Sequence, residues 1–156
     1  MAQRFEFNDP IPFSADKVMA KMLDTVFLKA WTEVQQGLNP VVTIKEKNAG
    51  RALIVIDLEE PLPKPLGTMK AIMTFDWNLK DNTMKWERSG KDAMSAKAKV
   101  FGETKVVANG ANACTLVEVI NVDVAIPLMG KTIEKGIADY LKKGRGTKID
   151  YLKKNL

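Results

Sequence analysis

"VDVAIPLMGKTIEKGIADYLKKG", from Val122 to Gly144, changes its period partway along. Before Pro127 the chain reads as the end of a strand, "CTLVEVINVDVAI" (Cys114–Ile126), with apolar groups on both faces. Pro127 has no N–H to continue a ladder, and Gly130 frees the backbone to turn. Beyond them the spacing becomes helical. Ile133, Ile137, Tyr140, Leu141, Gly144, Lys148, Tyr151 and Leu152 follow one stripe, and Lys131, Glu134, Lys135, Lys142 and Lys143 are expected to face away. The spacing predicts one long amphipathic helix over about 130–154. Gly144 and Gly146 predict a kink, a break or a frayed tail at 144–146, because each costs ~1 kcal/mol against alanine in a helix interior.

Gly130-Lys131-Thr132 is also how a phosphate-binding P-loop ends. The full motif needs glycine five residues earlier, where Ala125 stands. Pro127 removes one of the backbone donors that cradle a phosphate. Nucleotide binding is not expected.

Upstream, the period is two. In "MKAIMTFDWNL" (Met69–Leu79), Met69, Ala71, Met73, Phe75, Trp77 and Leu79 share a face, and polar residues mostly fill the other. "TMKWERS" (Thr83–Ser89) continues the dry face with Met84 and Trp86. "VVTIKEK" and "RALIVIDLE" flank Asn48-Ala49-Gly50 as a hairpin, and "SAKAKVFGETKVVA" (Ser95–Ala108) is a further strand. "PLPKPLG" (Pro61–Gly67), with three prolines in five residues, is a loop or strand edge. Near the start, "QRFEFND" (Gln3–Asp9) is a first strand, and Ser14 and Asp24 stand where two helix N-caps belong. Val18, Met19, Met22 and Leu23 mark the apolar stripe of the first helix, and Phe27, Ala30, Trp31 and Val34 that of the second.

The predicted class is α+β: a first strand, two short helices, about six more strands, and a terminal helix. The whole of 1–156 is one domain in which a curved antiparallel sheet of six to seven strands buries its dry face under that helix. A length of 156 residues with 46% hydrophobic composition suits a single core. No apolar run approaches the ~20 residues that span a bilayer, and the first residues have no apolar h-region of a signal peptide. With one cysteine, Cys114, no intrachain disulfide forms, and a cytoplasmic location is expected. No histidine is present, which excludes His-based nucleophile systems and the usual zinc sites. Residues 131–154 carry eight basic and three acidic residues, so the whole net charge of +5 lies on the terminal helix. That is the wet face of a helix or a surface for an anionic partner; no nucleic-acid recognition motif accompanies it.

Three stretches carry a resemblance to the helix-grip fold of the START and polyketide-cyclase-like (SRPBCC) superfamily, which includes plant pathogenesis-related lipid binders. "IPFSADKVMAKMLD" resembles its opening, "LPKPLGTMKAIMTFDWNLKDNTMKWE" its paired central strands, and "VDVAIPLMGKTIEKGIADYLKK" the passage into the gripping helix in an uncharacterised bacterial branch. The resemblance spans nearly the whole chain but contains no catalytic signature. It implies an apolar cavity between sheet and helix. Its expected walls are Met73, Phe75, Trp77, Met84 and Trp86 on the sheet, Ile133, Ile137, Tyr140 and Leu141 on the helix, and Trp31, with Phe27, on the second short helix. The same residues equally suit a solid core. Asp57, Glu118, Asn121 and Asp123 are the candidate polar groups inside, along with the Tyr140 hydroxyl. Three functions follow as expectations: binding or transport of a small hydrophobic molecule (a lipid or polyketide-like compound) without a cofactor; a cyclase or dehydratase using the cavity carboxylates; or an adaptor that meets a partner or a membrane through the basic C-terminal helix face.

Overall fold

Period-two patterning becomes seven strands. In the computed structural model, which describes residues 3–35, 37–61, 68–91 and 95–156, they are β1 (Gln3–Ile11), β2 (Leu38–Lys47), β3 (Arg51–Pro61), β4 (Thr68–Asn78), β5 (Thr83–Gly90), β6 (Ala98–Ala108) and β7 (Cys114–Val124). All pairings are antiparallel, in the spatial order β1-β7-β6-β5-β4-β3-β2, so β1 and β2 are the two edges. Two short helices, α1 (Ala15–Met22) and α2 (Thr25–Val34), follow β1, and α3 (Gly130–Lys154) ends the chain. The proline-rich loop expected at 61–67 lies outside the described residues from position 62 onward. Among the described residues, no helix is long and apolar enough to cross a membrane.

The local signals act as their chemistry requires. Ser14 accepts from the Lys17 N–H at 3.3 Å, and Asp24 accepts from Val26 and Phe27, each satisfying donors that a first helical turn leaves free. The Asn48 side chain accepts from both Gly50 and Arg51 at 2.9 Å and closes the β2–β3 hairpin. Inward residues alternate along β3 and β7, where Ala52, Ile54, Ile56 and Leu58 join Leu116, Ile120 and Val122 in one core. Gly102, midway along β6, sits where chains approach closely. A Cβ added there would lie 1.8 Å from the Val119 carbonyl oxygen and 3.0 Å from the Trp86 ring.

α3 departs from the expected helix in two ways. It runs unbroken through Gly144 and Gly146, because Arg145 between them is pinned to the sheet and Ile149 and Leu152 beyond them are buried. Tertiary contacts outweigh the low propensity of two glycines. Its buried stripe is also rotated: Glu134, Ala138, Arg145, Ile149 and Leu152 face the sheet, while Ile133 and Ile137 are half-buried and Tyr140 is 53% exposed. Glu134 turns inward because its carboxylate accepts from the Val124 N–H at 3.0 Å, tying the end of β7 to the start of the helix. Hydropathy alone hides such a stripe, since its charged members are buried only by virtue of their partners.

Cys114 is 1% exposed, and burial pushes its thiol pKa up. The thiol is expected to resist a soluble disulfide reagent in the folded protein and to react at the rate of global unfolding. Complete labelling within seconds in native buffer would contradict this.

Candidate ligand cavity

Strand parity decides what faces α3. Inward residues of β3, β4, β5, β6 and β7, the end of α2 and the middle of α3 enclose a cavity of about 440 Å³. Trp31, Met73, Phe75, Trp77, Met84, Trp86, Tyr140 and Leu141 all line it. Ile133 and Ile137 do not; the rotation of α3 leaves them packed at the margin of the core, nearer the helix start. Phe27 stays in the core and packs its ring on Trp31 and Tyr151 at 5.4 and 5.9 Å between centroids. The walls combine three tryptophans with methionines, a surface that adapts to varied apolar shapes. A groove of about 700 Å³ on the outer face, beside Lys80, Lys85, Glu103 and Lys105, is more open and is bordered by charges, and is the poorer place to bury an apolar molecule.

Of the four expected polar groups, one is inside. Glu118 is buried at 4% exposure on the inward face of β7. Asp57, Asn121 and Asp123 alternate to the outer face, where Asp57 binds Lys91 at 2.6 Å. Glu118 lies 3.0 Å from Arg145 Nη1 and 3.6 Å from Lys148 Nζ. The shorter contact is an ion pair without the alignment of a hydrogen bond. Arg145 also binds Asp9 and lies over the Phe7 ring at 4.4 Å. Lys148 stands over Trp31 at 4.5 Å, and the Trp31 indole N–H donates to the Lys148 carbonyl at 2.9 Å. Three buried donor atoms, Trp77 Nε1 and Arg145 Nε and Nη1, have no hydrogen-bond acceptor among the described residues.

At the rim, Arg88 binds Glu60, and the Tyr140 hydroxyl donates to the Gln35 carbonyl at 3.2 Å, linking α3 to the end of α2. Partial burial, and then the negative charge of Glu60, push the Tyr140 hydroxyl pKa up, with Arg88 opposing. Glu60, Arg88, Thr104, Arg145 and Lys148 are cavity residues that sequence reasoning missed. Arg88 and Glu60 carried a usable signal, because they share the parity of Met84 and Trp86 and of Ile56 and Leu58. Arg145 carried none: it is one cation among eight on the terminal helix.

With this geometry in place, three solved structures compare as follows. An aromatase/cyclase, Zhui, from Streptomyces sp. R1128 superposes with a TM-score of 0.72 at 11% identity, covering 99% of this chain and 93% of its own. Norcoclaurine synthase from Thalictrum flavum, in complex with dopamine and hydroxybenzaldehyde, gives 0.63 at 14% identity, covering 99% and 86%. Ara h 8.0201 gives 0.64 at 13% identity, covering 97% and 98%. At these identities the likeness is one of fold, and it identifies the architecture as helix-grip. A family model described as "Protein of unknown function (DUF2505)" matches residues 6–154. No curated protein matches the chain.

Proposed function

This chain belongs to the DUF2505 family, matched over residues 6–154, a name that carries no chemistry; from the site itself we propose that it binds and carries one small, largely apolar molecule between the sheet and α3. The observation that supports this reading best is the pairing of an apolar wall with a few fixed polar groups around one partly open volume of about 440 Å³, the usual composition of a small-molecule site. The polar groups also favour a kind of ligand. Four cations (Arg88, Lys143, Arg145, Lys148) line the cavity against two carboxylates (Glu60, Glu118). A ligand with an apolar body and one carbonyl, phenol or carboxylate oxygen suits them. Glu118 is engaged by two cations, which favours orienting a ligand over moving its protons. A cyclase-type activity, which the fold also accommodates, would require a proton-transferring group that this pairing does not leave free.

Native mass spectrometry of the purified protein is expected to show a retained small molecule, and 1-naphthoic acid is expected to raise the melting temperature more than naphthalene does. In Lys143→Met, which keeps the aliphatic stem and loses the charge, affinity for the acid should fall roughly five-fold, the scale of one hydrogen bond, while that for the hydrocarbon stays. Failure of every apolar compound to bind or stabilise would overturn the reading.

A further inference from the structure

The corner between β7 and α3 has a form that neither the core nor the cavity needs. Leu128 is fully exposed, at 104%, and has φ of +65°, a region unfavourable for any side chain beyond glycine. The Met129 N–H donates to the Pro127 carbonyl at 2.8 Å, so Leu128 is the middle residue of a γ-turn of the rare, strained hand. Glycine would relieve the strain and serine would remove the apolar exposure; the chain has leucine. The turn is held on both sides. Ala125 donates to the Lys97 carbonyl at 2.9 Å, Gly130 to Ile126 at 2.8 Å and Ile133 to Met129 at 3.1 Å. A Cβ on Gly130 would lie 2.8 Å from the Val124 carbonyl oxygen. Leu128 and Met129, the latter 59% exposed, therefore form a fixed apolar tip. Backbone strain held in place by its surroundings is a recurrent mark of a functional segment.

The charge around the tip is positive. Lys131 and Lys135 are exposed on the first turns of α3, Lys99 is exposed at the start of β6, and Lys97, exposed just before that strand, is bonded to the base of the tip through its carbonyl. Within residues 96–99 and 123–135 the acids are Asp123, which pairs in register with Lys99, and Glu134, which is buried on the Val124 N–H. The pairings also place the tip at the end of the sheet that holds the cavity rim, where β3 ends near Glu60 and β5 ends near Arg88.

We propose that this corner docks on an anionic lipid bilayer, with Leu128 and Met129 entering the interface and Lys97, Lys131 and Lys135 against the headgroups. Exposed apolar side chains ringed by lysine fit that environment. A second copy of this chain meeting the tip symmetrically would bring like charges together. Two protruding side chains also offer far less than the ~800 Å² per partner of a stable protein interface. The proposal stands whether or not the cavity is filled.

The test is co-sedimentation of the full chain with phosphatidylcholine vesicles, with and without phosphatidylglycerol, at low and high salt. Binding is expected only with the anionic lipid and should weaken with salt. Leu128→Ser/Met129→Ser is expected to lower it about ten-fold or more, the scale of losing two buried apolar side chains. Leu128→Gly should weaken binding while raising the melting temperature, because it releases the positive φ; that combination separates docking from a folding defect. Three results would each overturn the proposal: no binding to anionic vesicles at low salt, unchanged binding by the double variant, or a concentration-dependent dimer in sedimentation velocity that the double variant abolishes.

Discussion

Arg145→Ala is expected to lower stability in urea denaturation by about 3–5 kcal/mol, the cost of removing one member of a buried ion pair. Arg145 is 6% exposed and joins α3 to both β1, through Asp9, and β7, through Glu118. Without it, Glu118 keeps only Lys148, at 3.6 Å, in a site that is almost fully buried. Most of the loss comes from that stranded carboxylate rather than from the missing attraction. Arg145→Met/Glu118→Leu should therefore recover much of the stability, since two apolar side chains need no partner. If the double variant were as unstable as Arg145→Ala, the loss would come from Asp9 and Lys148, which lose their partners, or from packing over Phe7. A loss below ~1 kcal/mol in the single variant, the level of an exposed pair, would show the cluster to be well hydrated.

Gly102→Ala is expected to cost about 3 kcal/mol, at the upper end for overpacking a core. One methyl would meet the Val119 carbonyl oxygen at 1.8 Å, and backbone cannot rotate aside as a side chain does. Either β6 moves off β7 or the Trp86 ring, 3.0 Å away, shifts into the cavity it walls. Gly136→Ala is the matched control. On α3 an added methyl there meets nothing within 4 Å, so helix propensity alone acts and stability should rise by about 0.5–1 kcal/mol. The two variants thus move the melting temperature in opposite directions. A neutral Gly102→Ala would mean that the sheet is free to flatten at this point.

The fold was legible wherever a side chain's role depends on near neighbours in sequence. Ser14, Asp24 and Asn48 act on N–H groups two or three residues away, and Met73, Phe75 and Trp77 face one way because a strand alternates. The face of α3 was not legible, because Glu134 and Arg145 are buried by partners 10 and 136 residues away. Reading charge as exposure rotated the helix by about one residue and set Ile133 and Ile137 against the cavity, while Tyr140 and Leu141 still reach its wall. Among the acids, the strand pattern of Cys114–Val124 was apolar on both faces, so its parity gave no means of separating Glu118 from Asp123. The donors of Trp77 and Arg145 become conspicuous only when the surrounding acceptors are known.

The outermost position of β1 has a consequence for synthesis. Its pairing partner is β7, and Ile11 meets Cys114 in the register. During translation at ~5–20 residues per second, the first strand leaves the ribosome of order ten seconds before its partner is made. Throughout that delay Phe5, Phe7 and Ile11 have no sheet to join, and the aromatic faces later covered by Lys142 and Arg145 are open to any other nascent chain. β7 and α3 are the elements that claim β1, so a chain stopped before Cys114 is left with β1 as an unpaired, apolar sticky strand.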